Sequence, residues 1–387
     1  MAQFTFTFVF VFVFVFFFIL KKKNMDIWFF QYLISLFNRP NVKKTKHIMF
    51  CFVDHYEPQW LNPSREIEDA RVDEWFQRYP KVASNHKDAD GCYPKHTFFY
   101  PEEEYRKEHL DKIADLCARG YGEIEVHLHH NNDTSENLTK TLLDYTEMLH
   151  SEHGAFTRNI ETGKLNYSFI HGNWTLCNSH PKGEWCGVND ELIILKETGC
   201  YADFTYPAAP DPAQTSTVNT IYYASDKPGL AKSHDKGVDV QVGIEASGDL
   251  MIIQGPIGLN WKRLKKRIFP QIENSDIRNS MPPSNDRVDL WIKTGIHVKA
   301  KPDWLFIKIH THGTQEKSMD CSLGKAFDDM CMYLETEYND GKDYCLHYVS
   351  AREMYNIIKA AEAGKDGNPN NFRNYKLASP QYKVNNV

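Results

Sequence analysis

The nine cysteines of this 387-residue chain never form a C-x-x-C pair, and their number is odd. That pattern offers no zinc ribbon and no disulfide framework, and it fits a reducing compartment. No G-x-G-x-x-G turn follows the first apolar strand, which removes the main reason to expect a dinucleotide-binding fold. No long basic stripe is present either. Formal net charge is −6, and the basic run from Trp261 to Arg267 is short, as on a solvated helix face. Nucleic acid is therefore not an expected partner. No internal repeat is visible, which argues against solenoids and propellers. What is there, 42% apolar and 25% charged residues, is the composition of an ordinary globular chain.

One long apolar run stands out. Phe4 to Leu20 is Phe, Val, Thr and Ile, and ends at Lys21, Lys22 and Lys23. At about 17 residues it is at the short limit for a membrane span. The positive charge follows the run, whereas a secretory signal carries it before. As a span it would leave the body of the chain on the cytoplasmic side. The Phe/Val alternation is also what a simple T-rich DNA repeat encodes, and Met25 opens ordinary sequence, so an over-extended start is an equal expectation. Residues 1–24 are set aside as a leader. Residues 25–44 read as a short helix and linker, with Trp28 to Phe37 amphipathic and able to lie on a membrane or on the domain itself. The expected location is the cytoplasm or the cytoplasmic face of a membrane, with membrane association through the N-terminus.

From residue 45 to about 364, apolar strands alternate with periodic helices. His47 to Val53, Lys95 to Tyr100, Gly122 to His129, Tyr167 to Ile170, Tyr201 to Tyr206, Met251 to Gln254, Trp304 to Ile309 and Tyr344 to Val349 are the strands. Continuous apolar runs of this length suit strands buried on both faces. Pro101 with Glu102 to Glu104 opens a helix, Asp133 or Thr134 caps the next, and Ser350 with Glu353 forms a capping box. Alternation over this length predicts an α/β fold with a parallel sheet, either open and doubly wound or closed into a barrel, and the missing dinucleotide turn favours a seven-stranded (β/α) barrel. Residues 365–387 read as an irregular tail.

In such a fold the active site forms at the C-terminal ends of the strands. His55, His127, His129, His130, His171, His310 and His312, out of 17 histidines in all, fall at those ends. Positions i and i+2 of a strand share a face, so His127 and His129 both point inward. Two imidazoles on one face, completed from another strand, suit a catalytic zinc-like site with an open position for water. Plainer readings compete: His130, His171 and His312 as hydrogen-bonded structural groups, Asp54 as a turn initiator, Asp203 as the partner of a backbone amide. Glu57 is available as a second carboxylate.

Three stretches resemble the motifs of polysaccharide deacetylases. Phe52-Val-Asp54-His55 is similar to their first motif, an apolar strand ending Thr-Phe-Asp-Asp. Glu123-Ile-Glu-Val-His127-Leu-His129-His130 is similar to their Glu-Ile-Gly-x-His motif, and Phe306-Ile-Lys-Ile-His310 to their last, Leu-x-x-His. The chain departs in carrying His55 where the family has its second aspartate, Asn131 where it has its second histidine, and no clean Arg-x-Pro. The resemblance implies a divergent metal-dependent hydrolase that deacetylates an amino sugar in a polysaccharide or glycan precursor. It implies Asp54 as general base, His310 as acid, and His55, His127 and His129 as ligands of a divalent ion, zinc in expectation. His171, Trp174, Tyr206 and His312 are the expected substrate contacts, and Trp261 is a further aromatic candidate. Two alternatives stay open: a glycoside hydrolase on the same barrel, pairing Asp54 with Asp203 or Glu57, and a non-catalytic carbohydrate-binding barrel.

Overall fold

The computed structural model describes residues 18, 20–262 and 270–384. Most of the apolar run Phe4 to Leu20 and most of the basic run after Trp261 lie outside the described residues. Helix α1 (Phe29–Phe37) comes first. Strands and helices then alternate: β1 (Lys46–His55), α2 (Arg65–Ala83), β2 (His96–Pro101), α3 (Lys107–Ala118), β3 (Gly122–Leu128), α4 (Ser135–His153), the short β4 (Thr157–Arg158), β5 (Leu165–His171), α5 (Glu191–Thr198) and β6 (Cys200–Asp203). An antiparallel excursion, β7 (Ile221–Ala224) and β8 (Gly237–Asp239), precedes β9 (Leu250–Ile253). The antiparallel pair β10 (Gly258–Asn260) and β11 (Gln271–Glu273) follows, then β12 (Asp276–Ile277), α6 (Asn285–Thr294), β13 (Trp304–Thr311), α7 (Glu316–Leu323), α8 (Lys325–Glu337), β14 (Tyr344–Val349) and α9 (Ala351–Glu362).

Local signals set several boundaries. Thr134 caps α4 by accepting from the Asn137 amide at 3.2 Å. Gly199 ends α5 at φ +107, where a side chain would collide with the Leu165 carbonyl. The Ser350–Glu353 capping box opens α9. The expected helix at Pro101 differs. Glu102–Glu104 make a single 3-10 turn, and α3 starts only at Lys107. The turn is drawn away from helical continuation because the Glu104 carboxylate accepts the Gln59 amide and the Glu103 carboxylate reaches His129. The strand expected through Tyr206 stops at Asp203.

The result is a mixed α/β fold built on one large, mostly parallel sheet. β1 lies at its centre, with β13 along one edge and β14 and then β2 sharing the other. Beyond β2 the parallel order runs β3, β5, β6, β9. Among the described residues no ladder joins β12 to β8, so hydrogen bonding does not close the sheet into the expected seven-stranded ring. The sheet nevertheless curls. One apolar face, with Ile48, Phe50 and Phe52, packs on the surrounding helices. The other, with Met49, Cys51, Val53, Ile170 and Phe306, encloses a second core that includes Met354 and Ile357 of α9. The buried Lys308 crosses this interior, donating to the carbonyls of Phe204 at 2.7 Å and Tyr206 at 2.5 Å, and so ties β13 to the end of β6.

The described part of the tail, residues 365–384, holds one 3-10 turn (Pro369–Phe372) and is packed on the domain. Arg352 donates to the Leu377 carbonyl, and the Tyr382 hydroxyl accepts the Ile124 amide. Helix α1 leans on the domain through Trp28 and Tyr32 and leaves Phe30, Ile34 and Phe37 exposed. Among the described residues no helix is long and apolar enough to cross a membrane.

Candidate metal centre

Alternation along β1 turns Met49, Cys51 and Val53 inward, and His55 continues that row to the strand's C-terminal end. Glu57, two residues on, keeps the same direction. β3 delivers His127 and His129 beside them, and β13 delivers His310 and His312. His55, Glu57, His129, His310 and His312 line a cavity of about 490 Å³ whose wall also includes Trp174, Asp276 and Gln315, and the fully buried His127 packs against His55 behind it. The His55 ring lies 4.8 Å from that of His127, 4.5 Å from His312 and 6.4 Å from His310, centroid to centroid. Donor atoms of His55, Glu57 and His127 all fall within 4.8 Å of one another, a spacing that can hold a metal ion.

The surrounding hydrogen bonds orient these donors. His127 Nδ1–H donates to the Ile170 carbonyl at 2.7 Å. That fixes the tautomer and leaves its buried Nε2, without a hydrogen-bond partner, as a lone pair aimed past Glu57 at 3.5 Å. His129 bridges two carboxylates, Glu103 at 2.5 Å and Glu57 at 3.2 Å. Glu57 also accepts from His312 Nδ1 and Gln315 Nε2, both at 3.0 Å. His55 Nδ1 and His310 Nδ1 are buried with no partner.

Charge follows from this geometry. Burial alone would raise Glu57, but His312, His127 and His129 hold it well below the usual carboxylate range. Burial works against charge on His129, yet Glu103 and Glu57 outweigh it and raise its pKa to about 10. Burial, then the neighbouring His312 and His127, hold His55 neutral, and burial with Lys308 does the same for His310. A buried anion beside the neutral His55 and the unpartnered His127 Nε2 is a donor set suited to a divalent cation, while His129 and His312 carry the positive charge that Glu57 holds now.

Of the residues singled out in the sequence, His55, His127, His129, His310, His312 and Trp174 come together here. Asp54 does not join them. It points to the opposite face of β1, where its Oδ1 accepts the Gly313 amide at 2.6 Å and its Oδ2 accepts from His96 Nε2 at 2.8 Å. Neighbours in a strand face opposite ways, so Asp54 and His55 cannot both look into one cavity. His171 is fully buried and pairs with His130 instead. Tyr206 is also fully buried. Its hydroxyl donates to the Trp174 carbonyl at 3.0 Å and meets His234 at 2.8 Å, so it props Trp174 from behind. Trp261 is exposed, away from the cavity. Asp203 is buried against Thr205, and burial raises its pKa to about 7. Glu57, Glu103 and Gln315 are the participants that the sequence reading underweighted. The His55-x-Glu57 spacing, the same i, i+2 rule used for His127 and His129, was the available signal for the first.

Comparison with known proteins adds little. No family model matches the chain, and no curated protein matches it. Among solved structures it is similar to a 4-alpha-glucanotransferase from Thermococcus litoralis, at 10% identity and a TM-score of 0.42. The match covers 81% of this chain but only 40% of that one, and at that distance it says nothing of the reaction.

Proposed function

We propose that the chain is a metal-dependent hydrolase that removes an acyl group, N-acetyl, from an amino sugar of a polysaccharide or glycan precursor. The observation that carries the reading is the set of buried, unpartnered ring nitrogens on His55, His127 and His310 beside the Glu57 carboxylate, at the strand ends of a parallel sheet. His55, His127 and Glu57 would hold the ion, zinc by the character of a nitrogen-and-oxygen donor set, and His129 and His312 would fix Glu57 through its oxygens. The ion, when bound, supplies Lewis acidity toward the acyl carbonyl and an acidified water.

The chain's own residues do the rest. The Trp174 indole forms a wall for a sugar ring, held from behind by Tyr206. His310, neutral and facing the same cavity, accepts the proton of the attacking water and returns it to the departing amine nitrogen. Asp54 acts at one remove. It clamps the Gly313 amide, Trp75 clamps the Gly313 carbonyl, and together they set the turn that carries His310 and His312.

The glycoside hydrolase alternative rests on carboxylate pairs involving Asp54 or Asp203, both of which are buried off the cavity. A chelation experiment separates the readings. Protein stripped of metal, then reloaded with zinc, is assayed for acetate release from N-acetylated hexosamine oligomers. Loss and recovery of release is expected. Release that is unchanged in stripped protein refutes the proposal. Sugar binding without any acetate release, loaded or stripped, points to the non-catalytic alternative.

A further inference from the structure

His130 and His171 left the cavity for a reason of their own. His171 ends β5, and His130 lies in the turn after β3. Their Nε2 atoms stand 2.8 Å apart. His171 Nδ1–H is committed to the Gly172 carbonyl at 2.5 Å, and His130 Nδ1 faces the Asp133 carboxylate at 3.1 Å. The His171 proton is fixed on Nδ1, so its Nε2 is a lone pair turned toward His130 Nε2, whose own Nδ1 makes no hydrogen bond. The nearest other atom makes this worse. Glu191 Oε1 lies 3.3 Å from His130 Nε2 and 3.4 Å from His171 Nε2. Two imidazole Nε2 atoms and a carboxylate oxygen converge in a buried place that needs positive charge, supplied by a proton on one ring or by a metal cation.

A fourth donor completes the group. Cys186 Sγ is buried 3.6 Å from Glu191 Oε2, and it accepts backbone N–H groups from Asn178 at 3.3 Å and Val188 at 3.4 Å. Burial and the neighbouring Glu191 carboxylate raise the thiol pKa, so the sulfur gives up its proton only when a metal ion takes its place. Glu191 is itself oriented, since its Oε2 accepts the Cys177 amide at 2.6 Å. The four ligand atoms lie within 4.8 Å of one another. Mixed imidazole, thiolate and carboxylate donors, four in number and with no side open to the cavity, match a closed structural zinc site rather than a catalytic one.

We infer that His130, His171, Cys186 and Glu191 form a second, structural site for a zinc-class divalent ion, one that staples the turn after β3 to the long irregular segment 172–190. That segment carries Trp174, so the ion fixes one wall of the cavity without touching substrate. A further metal-capable cluster among the described residues, Asp88, Asp90 and His347, shows the contrast: Arg373 sits on both aspartates and already supplies the positive charge.

Cobalt substitution tests this independently of the first site. Among the described residues, the proposed second site is the one metal-capable cluster containing sulfur. The full chain loaded with Co²⁺ should show thiolate-to-cobalt charge transfer in the near ultraviolet. Cys186→Ser should abolish the band, and Glu191→Gln should perturb it or lower the bound metal by one ion per chain. His127→Ala should leave the band intact, because it strikes only the first site. A wild-type chain with no charge-transfer band, or a band that survives Cys186→Ser, overturns the inference. Wild-type protein that binds no metal through His130 and Cys186 and holds only an imidazolium between the two rings overturns it as well. If Cys186→Ser fails to fold, the His127→Ala chain alone decides, by whether it still gives the sulfur band.

Discussion

Asp54 is where the sequence resemblance and the structure part most sharply, and a pair of substitutions decides between them. Its carboxylate is fully buried and accepts two short hydrogen bonds, from Gly313 N at 2.6 Å and His96 Nε2 at 2.8 Å. Asp54→Ala strands both donors in the core, and breaking a buried, charge-assisted pair costs about 3–5 kcal/mol. At roughly 2 °C per kcal/mol for a chain of this size, Tm should fall by about 6–10 °C. Asp54→Asn is milder. The amide oxygen still accepts from Gly313, and the amide N–H can donate to His96 once that ring carries its proton on Nδ1, so a loss of about 1–2 kcal/mol is expected. Activity should then largely survive, because the carboxylate touches no substrate. A general base would behave differently: replacing it by Asn would leave Tm nearly unchanged and cut kcat by about 10²–10⁴. Denaturation curves and initial rates on the same preparations read both quantities. Full stability with abolished turnover in Asp54→Asn would refute the scaffold role and restore Asp54 as the base.

Other outcomes follow from the same geometry. His127→Ala and Glu57→Gln should each remove one bound ion per chain by elemental analysis and abolish acetate release, with little change in far-ultraviolet circular dichroism. Trp174→Ala should raise KM for the sugar more than it lowers kcat, since the indole lines the cavity and carries no proton. Gly313→Ala places a Cβ 2.2 Å from Asp54 Oδ2 and 2.4 Å from Trp75; it should cost about 1–3 kcal/mol in urea denaturation and disturb the His310–His312 turn. Glu125 is buried in the sheet interior, where it accepts from the Ser168 amide and the Tyr201 hydroxyl, and burial raises its pKa to about 8. Its folded pKa lies above the unfolded value, so the folded state holds the proton longer and stability falls as pH rises from about 4.5 to 8. Glu125→Gln should flatten that decline by at most about 5 kcal/mol, measured as the difference between the two stability–pH curves; parallel curves would count against a neutral carboxyl.

Much of the architecture was legible because its causes are local. Buried parallel strands need continuous apolar runs, and β1 announces itself so, while β3 shows itself by alternation. Caps at Thr134 and Ser350 and the stop at Gly199 rest on a few neighbouring residues. The histidines at strand ends were legible for a similar reason: His127 and His129 share a face by simple parity. What the sequence hid was which face. β1 is apolar on both sides, so nothing in Ile48 to Val53 distinguishes inward from outward, and Asp54 was assigned to the wrong side of a strand whose alternation was otherwise plain. The unclosed sheet was hidden too, since closure depends on pairings between distant edges that no local pattern records. The partners of His130 and His171 were hidden for a third reason. Glu191 and Cys186 come from a helix start and an irregular segment, and only the folded chain brings them to β3 and β5.

The pairing of β1 carries a consequence for how the molecule is made. His47 pairs with Trp304 and Lys46 with Tyr344, so the first strand to leave the ribosome waits for nearly the last. Only residues 52–55 find an early partner, in β2. At about 5–20 residues per second, the nascent chain holds an apolar ribbon bare along most of both edges for roughly 15–60 s. During that interval the edges invite pairing with another chain. Yield in the cell should therefore respond to translation speed and chaperone supply more than to the stability of the finished fold.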